Sequence, residues 1–505
     1  MKILFYPPAP LYHQHYGVIL DEAIIEAKKG NEVYFVYNNC CTGICTINME
    51  VSSYKCKQCK MLNKKTLRLL PKSIKIINIE QYWESKNDQM FSYNTIDDIK
   101  KLQYKGVYIG YAALSSYYTM FRNLLPKIDD NYRKYFNKIF AATCHLTDAL
   151  EKAINDIKPD KIYFFNTRYF EWRPPYDLAR REGIEAVSCE MSGGFGEEFF
   201  KERFINSTPH AIEMRQCRIN QRWQECPLSE SEKIKLGKEF FNRRRHGIAA
   251  GDRVYISNQV AGQLPANWDP KKRNIVIFNS SEDEYAAIGD EYDKLSLFKS
   301  QYKGICYILE SLKENNDIHI YLRIHPNLAK VPYRYHKELE LLPELYDHIT
   351  VIPAADKVST YDIMDAAEKV VVFGSTMGLE AAYWGKPVIL LAGAEYYYMD
   401  LCYTPKTKEE LVLLLNEKLS PKSTDDAIKM GFFMLYKNEK EYYKYIDFNF
   451  ENDKFLGVPI LNVHYLKLFG SSKLYAFYRK IVNKFLKRNN TMIDVPLEED
   501  KDCEL

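Results

Sequence analysis

Several features that define other classes of protein are scarce in this chain of 505 residues. Glycine and proline, with 22 and 21 residues, are too few for a collagen-like or linker-rich protein. No stretch approaches the roughly 18 consecutive apolar residues that a membrane-spanning helix needs. The apolar opening, which ends at Pro7, is too short for a secretion signal. We therefore expect a cytoplasmic protein.

Net charge is also nearly absent, because 70 Lys and Arg residues face 67 Asp and Glu residues, for a total of +3. Proteins that bind nucleic acid usually carry a clear excess of positive charge, so we expect no nucleic-acid partner. Hydrophobic residues make up 46% of the chain, which is enough for large packed cores and excludes a mainly disordered protein. The length suggests two or three domains.

Strand and helix patterns alternate in both halves of the chain. In the first half, apolar runs predict strands at 2–6, 32–37, 73–79, 161–166 and 185–189, and helices at 18–29, 132–156 and 174–182. In the second half, they predict strands at 274–278, 318–324, 349–352, 369–373 and 387–391, and helices at 297–313, 361–368 and 377–384. This alternation predicts an α/β protein with two Rossmann-like, doubly wound domains that face each other across a cleft.

We expect the domains to span 1–228 and 274–456, with an interdomain region at 229–273 and a tail at 457–505. Within the tail, apolar and basic residues alternate with helical spacing over 468–487. Such a basic amphipathic helix either lies on an anionic membrane surface or packs back on the N-terminal domain.

Five of the 12 cysteines fall between residues 40 and 59. Cys56 and Cys59 form a CxxC pair, and Cys45 with Cys40 (or the adjacent Cys41) completes a set of four. Reduced thiols at this density favour a structural zinc ion, and an iron–sulfur cluster uses the same ligands. Unrelated thiols are the alternative. A redox dithiol is less favoured, because a redox CxxC normally opens a helix that follows a strand.

Two loops in the second half suit a phosphate group. His325 follows the strand at 318–324 and precedes Pro326, so its ring should point into the crevice at the carboxyl edge of the sheet. After the strand at 369–373, Gly374-Ser375-Thr376 leads into a helix whose exposed amides can bind an anion. The alternatives are a loop histidine without a ligand and an ordinary Ser/Thr N-cap.

Other residues of this half could complete the ligand site. Glu380 lies one turn into the helix and could accept hydrogen bonds from a ribose. Asn279, Ser280 and Ser281 follow the strand at 274–278 and could add donors. The acidic run 282–284 could hold a metal ion or cap the next helix, and we favour capping.

These residues resemble known enzymes. The HP step at His325, the GST run at 374–376 and the Gly-Lys-Pro run at 385–387 are similar to those of the capsule polysaccharide biosynthesis family of bacterial glycosyltransferases. A more distant resemblance extends to bacterial sialyltransferases and Kdo transferases. The resemblance implies a GT-B fold, with His325, Ser375 and Thr376 on the phosphate of a CMP- or UDP-sugar donor and Glu380 on the ribose. It also implies a glycan or lipid-linked acceptor at the inner membrane face.

Glycosyl transfer needs a base for the acceptor hydroxyl and charge neutralisation at the leaving phosphate. The phosphate loops supply the second without a catalytic divalent metal ion. Glu190, at the end of a predicted strand, is the first candidate for the base, or for a nucleophile; a buried acid or an N-cap is the alternative. His13 and His15 are alternative bases.

Arg168 and Arg173 follow a predicted strand and either bind an anionic group or are ordinary surface arginines. Two other functions remain open for the whole chain. One is a UDP-sugar 2-epimerase, which shares the fold. The other is a non-catalytic scaffold that uses the cysteine loop as a zinc module.

Overall fold

The computed structural model describes residues 1–84, 90–193, 198–251, 253–329, 331, 334–448 and 452–462. The predicted helix over 468–487 lies outside the described residues. The chain divides into two compact units. Of the described residues, unit 1 comprises those in 1–191, 199–209 and 440–462, and unit 2 comprises those in 192–198 and 210–439.

Each predicted strand has a counterpart in the structure, and the described residues contain six further strands. In chain order they are β1 Lys2–Tyr6, β2 Glu32–Tyr37, β3 Lys75–Asn78, β4 Gln103–Tyr104, β5 Val107–Tyr108, β6 Lys161–Phe165, β7 Glu185–Ser192, β8 Phe200–Ile205, β9 Arg273–Phe278, β10 Ile318–Arg323, β11 Ile349–Ile352, β12 Lys369–Val372, β13 Val388–Leu390, β14 Ile446–Asp447, β15 Asn452–Phe455 and β16 Val458–Asn462.

The helices alternate with the strands in the same way. They are α1 His13–Lys28, α2 Ser53–Leu67, α3 Ile96–Lys101, α4 Gly110–Phe121, α5 Asp130–Ile157, α6 Arg173–Arg181, α7 Ile212–Glu225, α8 Glu230–Arg245, α9 Asp290–Leu295, α10 Gln301–Leu312, α11 Arg334–Glu340, α12 Thr360–Ala366, α13 Thr376–Tyr383, α14 Lys408–Asn416 and α15 Asp425–Leu435. Short 3₁₀ turns include Thr46–Asn48, Glu282–Glu284 and Pro326–Leu328.

Each unit contains one doubly wound sheet, as the sequence predicts. The sheet of unit 1 has the order β3-β2-β1-β6-β7-β8. The first five strands in this order pair in parallel with their neighbours. The sheet of unit 2 has the order β11-β10-β9-β12-β13 and is parallel throughout. In each sheet the first strand of the unit lies between two others. Strand β1 lies between β2 and β6, and β9 lies between β10 and β12, so the order of the strands reverses there. This is the topological switch point, where parallel sheets bind ligands.

The limits of the units differ from the boundaries predicted at 228, 273 and 456. Helix α8, predicted to belong to an interdomain region, packs on α15 within unit 2. A Cβ at Gly237 of α8 would lie 2.3 Å from the carbonyl oxygen of Ile428, and one at Gly431 would lie 2.4 Å from that of Gly237. The two glycines therefore let the backbones of these helices touch, a contact that no hydrophobic pattern in the sequence reveals.

The chain returns to unit 1 after residue 439. There a buried cluster of charged side chains forms hydrogen bonds with the returning segment. Lys201 of β8, with no exposed side-chain surface, lies 2.5 Å from Asp21 and 2.7 Å from Glu22, both in α1. The second oxygen of Asp21 accepts the backbone N–H groups of Lys444 and Tyr445. One carboxylate thus connects α1, β8 and the returning segment.

Within the described part of the chain, no helix is long and apolar enough to cross a membrane.

Replacing Lys201 with methionine should lower the free energy of unfolding by about 3–5 kcal/mol, because two buried carboxylates lose their only lysine partner in this cluster. Urea unfolding at neutral pH measures the change. The matched control is Lys72→Met at an exposed position of unit 1, for which we expect a change within about 0.5 kcal/mol. Equal stabilities for the two variants would contradict the assignment.

Candidate functional sites

Three strands of unit 2 end level with one another at the switch point. In the register of the sheet, Phe278 of β9 lies opposite Arg323 of β10 on one side and Val372 of β12 on the other. The loops that follow these strands are therefore neighbours, as the sequence predicts. They carry the predicted ligand residues of 279–281, 325 and 374–376.

The first of these loops holds the other two in place. The Asn279 side-chain oxygen accepts the backbone N–H of His325 at 2.7 Å, and the Ser280 hydroxyl donates to the carbonyl oxygen of Phe373 at 2.9 Å. The Ser281 hydroxyl donates to Asp283 at 2.9 Å. Both serines and Asn279 are buried. The prediction that these three residues supply ligand donors therefore differs from the structure, where these groups position the loops.

His325 keeps its ring in a defined tautomer. Its Nδ1 accepts the backbone N–H of Asn327 at 3.2 Å, so the proton of the neutral ring lies on Nε2. The ring of Tyr255 packs edge-on against it, with centroids 5.3 Å apart. His325 thus carries a hydrogen-bond donor at the carboxyl edge of the sheet, which is what phosphate binding requires.

The loop after β12 leads directly into α13. Gly374 has a φ of +85°, and a Cβ there would lie 2.8 Å from the carbonyl oxygen of Gly393, so the position requires glycine. Ser375 is the N-cap, and its hydroxyl accepts the N–H of Met377 at 3.3 Å. Thr376 begins the helix and is exposed. The N-cap interpretation is confirmed for Ser375, while Thr376 and the first amides of α13 lie at the surface end of the helix.

Glu380 does not have the environment expected of a ribose ligand. It is 1% exposed, its Oε1 accepts from Arg244 Nε at 2.9 Å, and its Oε2 accepts from the hydroxyl of Tyr361. One turn into α13, the helix face turns towards the packed interior, where α8 and α12 supply these partners. Glu380 is therefore part of a buried hydrogen-bonded ion pair, which corrects the ribose prediction.

The acidic run 282–284 forms a 3₁₀ turn, and Glu282 caps the start of α10. Its Oε1 accepts the N–H of Gln301 at 3.3 Å, as the capping interpretation predicts. Burial raises the pKa of Glu282 to about 7.

A second polar cluster lies at the carboxyl edge of unit 1, where β6 and β7 are neighbours. The N–H of Asn166 donates to the carbonyl oxygen of Cys189 at 2.8 Å. Asn166 and Thr167 have φ values of 51° and 59°, two successive left-handed residues that are not glycine. Such a conformation costs about 1–3 kcal/mol per residue and concentrates at functional sites.

The cluster joins two of the predicted catalytic residues. His15, in the first turn of α1, places Nδ1 3.0 Å from Oε1 of Glu190. The side-chain amide of Asn166 donates to Oε2 of Glu190, and the N–H of Met191 donates to Oε1 at 3.0 Å. The imidazole also contacts the ring of Tyr12, with centroids 4.0 Å apart. His15 Nδ1 and the Glu190 carboxylate thus lie within ion-pair distance, and the contact lacks hydrogen-bond geometry.

His13, the other predicted catalytic histidine, has a different partner. Its Nδ1 lies 2.6 Å from Asp453, a residue of β15 that is 3% exposed. His13 therefore contacts β15, whereas His15 contacts Glu190. Sequence spacing alone does not separate the two histidines. The contribution of Asn166 was also missed, and its position directly after β6 was the signal that could have revealed it.

The two predicted anion-binding arginines differ in environment. Arg168 is 7% exposed, donates through Nε to Ser115 at 2.7 Å and through Nη2 to Thr119 at 3.1 Å. Arg173 pairs with Asp177, four residues later in α6, at 2.9 Å. The second is an ordinary helix ion pair, while Arg168 is a buried guanidinium beside the left-handed turn.

The cysteine loop comes together only in part. Cys40, Cys45, Cys56 and Cys59 line one pocket next to the proline-rich loop after β1. The fifth thiol, Cys41, donates instead to Asn38 at 3.2 Å. Nevertheless, over the residues that the structure describes, no group of three or more His, Cys, Asp or Glu side chains is arranged to hold a metal ion. The predicted zinc or iron–sulfur site is therefore not confirmed.

Glu171 lies at the wall of the same pocket. It is 4% exposed and accepts the N–H of Thr46 at 2.7 Å. Burial raises the pKa of this carboxyl to about 7, although the hydrogen bonds from Thr46 oppose the shift. In the unfolded chain the carboxyl titrates near its ordinary value of about 4.3. The folded state therefore binds the proton more tightly, and its stability decreases as the pH rises through about 7.

Glu171→Gln should reduce that loss, because the amide stays neutral and its oxygen can still accept the Thr46 N–H. We expect the melting temperature of the variant to fall less than that of the parent protein between pH 5 and pH 8. Exposed Glu182 supplies the control variant Glu182→Gln, which should follow the parent protein. A Glu171→Gln profile parallel to that of the parent protein would show that the carboxyl is already ionised at pH 5.

Comparison with known proteins adds a family to this geometry. Residues 252–443, less than half of the chain but most of unit 2, match the family model described as capsule polysaccharide biosynthesis protein. No protein with a curated description matches the sequence.

Among solved structures, the chain is similar to two of KpsC from Thermosulfurimonas dismutans. The beta Kdo 2,4 transferase is 14% identical over 54% of this chain and 78% of that chain, with a TM-score of 0.35. The beta Kdo 2,7 transferase is 15% identical over 56% and 88%, with a TM-score of 0.29. A putative UDP-N-acetylglucosamine 2-epimerase from Listeria monocytogenes is 11% identical over 85% and 93%, with a TM-score of 0.23. Similarities this low carry no argument about the present chain.

The matched segment contains the HP step at 325–326, the GST run at 374–376 and the three strands whose ends bring them together. Residues 252–443 thus match the capsule polysaccharide biosynthesis family, the one that these motifs resemble.

Proposed function

We propose that the protein is a glycosyltransferase of capsule polysaccharide synthesis that binds a nucleotide-sugar donor at the carboxyl edge of unit 2. The observation that carries the proposal is the convergence of three loops at the switch point of a parallel sheet, inside the segment that matches the family. A CMP- or UDP-sugar is the donor class, and a glycan or a lipid-linked glycan is the acceptor.

The phosphate of the donor would be bound by neutral hydrogen-bond donors and by the partial positive charge of a helix N-terminus. His325 offers Nε2–H because Nδ1 is occupied by the N–H of Asn327. The N-terminus of α13 adds backbone amides and about half a positive charge, and the Thr376 hydroxyl lies on its exposed first turn. These groups stabilise the negative charge that develops on the leaving phosphate.

The acceptor hydroxyl must lose a proton, and the His15–Glu190 pair is suited to take it. The side chains are 14% and 18% exposed, so both are largely withdrawn from water yet remain accessible. Glu190 receives N–H donors from Asn166 and Met191, which fix the position of its carboxyl group. We therefore assign His15 Nε2 as the base and Glu190 as the residue that orients it, which combines the two predicted candidates.

The donor site is tested first by binding. A thermal-shift screen against CMP, UDP, GDP and CDP identifies the nucleotide, because a ligand of the native state raises the melting temperature. In His325→Ala, the dissociation constant of that nucleotide, measured by calorimetry, should increase roughly 10- to 100-fold, which corresponds to a lost hydrogen bond to a charged group.

The matched control is His246→Ala, at an exposed histidine that follows α8 in unit 2. This variant should bind the nucleotide as the parent protein does. Unchanged affinity in His325→Ala would refute the site. A melting curve for each variant separates lost binding from lost folding.

The base is tested by turnover with the nucleotide sugar that the screen identifies. In Glu190→Gln, the amide can donate to Nδ1 and place the imidazole proton on Nε2, so His15 can no longer accept one. We expect a decrease in kcat of about 10²- to 10⁴-fold, with the nucleotide dissociation constant unchanged. His15→Ala should behave alike.

Glu182→Gln, at an exposed position shortly before β7, is the control and should retain full turnover. A Glu190→Gln variant with normal kcat would exclude the pair from proton transfer. Release of an epimerised nucleotide sugar without any acceptor would replace the transferase proposal with the epimerase alternative.

A further inference from the structure

The cysteine pocket of unit 1 has no part in the proposed transfer reaction. Cys40 directly follows the loop after β2 and has a φ of +65°, a left-handed conformation that is unusual for a residue other than glycine. This turn directs its thiol to α2. There Cys40 Sγ donates to the carbonyl oxygen of Cys56 at 3.6 Å, and Cys40, Cys56 and Cys59 line the same pocket.

The two cysteines of α2 differ in accessibility and in their neighbours. Cys59 is 2% exposed, whereas Cys56 is half-buried. The Asn48 amide donates to Cys56 Sγ at 3.3 Å. Burial raises the pKa of Cys56, while the Asn48 amide and the Lys60 ammonium oppose the shift. Of the two, Cys56 is therefore the thiol that a reagent in solution can reach.

The position of the CxxC also fits thiol chemistry. Cys56 and Cys59 lie in the first half of α2, which follows strand β2 through the cysteine loop. The CxxC therefore lies near the start of a helix, and Cys40, from the preceding loop, contacts its first cysteine. The approach of Cys40 to Cys56 is the feature to explain.

We propose that Cys40 and Cys56 form a reversible disulfide when a small-molecule disulfide such as oxidised glutathione is present. The Cys56 thiolate attacks one glutathione sulfur, forms a mixed disulfide and releases one glutathione thiolate. Cys40 then loses its proton to solvent, attacks the sulfur of Cys56 and expels the second glutathione thiolate. Two protein thiols are oxidised, and one glutathione disulfide is reduced to two thiols.

The bond would close a loop that other parts of the pocket depend on. Residues 41–55 include Thr46, whose N–H is held by Glu171, and the pocket is bordered by Pro7 to Pro10. That proline-rich loop runs directly into α1, the helix that carries His15. Oxidation would thus cross-link residues 40–56, which border the same pocket as the loop that leads into α1. Helix α1 carries His15, the candidate base.

Peptide mapping of the full-length protein tests the pairing. Trypsin cuts after Lys55, Lys57 and Lys60, so Cys56 and Cys59 fall in different peptides, while Cys40 lies in the peptide 30–55. After incubation with oxidised glutathione and alkylation of the remaining thiols, we expect 30–55 to be linked to 56–57 in most molecules. Dithiothreitol should reverse the link. In a Cys41→Ala, Cys45→Ala background, the partner within 30–55 must be Cys40.

Single variants provide the controls. The link should disappear in Cys40→Ser and in Cys56→Ser and persist in Cys59→Ser and in Cys306→Ser, the last at a half-buried thiol of unit 2. A link to 58–60 in place of 56–57, or no link in the parent protein, would overturn the proposal. So would stoichiometric zinc or iron that must be removed before the thiols react. Mapping of the parent protein decides the question even if a variant fails to fold.

Discussion

The parallel register of the strands in each unit determines where its chemistry can occur. In unit 2, β9, β10 and β12 end level with one another, so residues almost 100 positions apart in the chain emerge at one edge. The hydrogen bonds from His325 to Asn279 and from Ser280 to Phe373 then fix the three loops relative to one another. A side chain in this region can bind a ligand only if the register brings it to the edge and its polar atoms are not already needed there.

That constraint separates what the sequence could predict from what it could not. The strands are short apolar runs and the helices have a clear period, so β1, β2 and β11 agree with the predicted segments residue for residue. The edge positions of His325 and Ser375 follow from strand order. The occupation of Asn279 and Ser280 by backbone groups of other loops does not, because each bond links residues dozens of positions apart. The burial of Glu380 likewise depends on Arg244, 136 residues earlier in the chain.

The carboxylates also differ in whether their oxygens are already occupied by partners from the fold. A buried charge is tolerated when it is paired and hydrogen-bonded. Glu380 and Asp21 satisfy that condition completely with partners from distant elements, and they stabilise the packing. Glu190 has similar donors but keeps 18% of its side chain exposed and has an imidazole as its ion-pair partner. An imidazole nitrogen can exchange a proton with a bound hydroxyl, which a lysine or arginine partner cannot do.

The conformation of Asn166 and Thr167 strengthens this distinction. Two successive left-handed residues, one of them β-branched, are unfavourable and persist only where the surroundings fix them. Here the fixing contacts are the N–H of Asn166 on Cys189 and the Thr167 hydroxyl on Ser188, both on the neighbouring strand β7. The strained turn is what brings the Asn166 amide to Glu190. In an uninterrupted strand, the Asn166 side chain would point away from Glu190. The free-energy cost of the strained backbone is therefore offset by the orientation of the Glu190 carboxylate at the edge of unit 1.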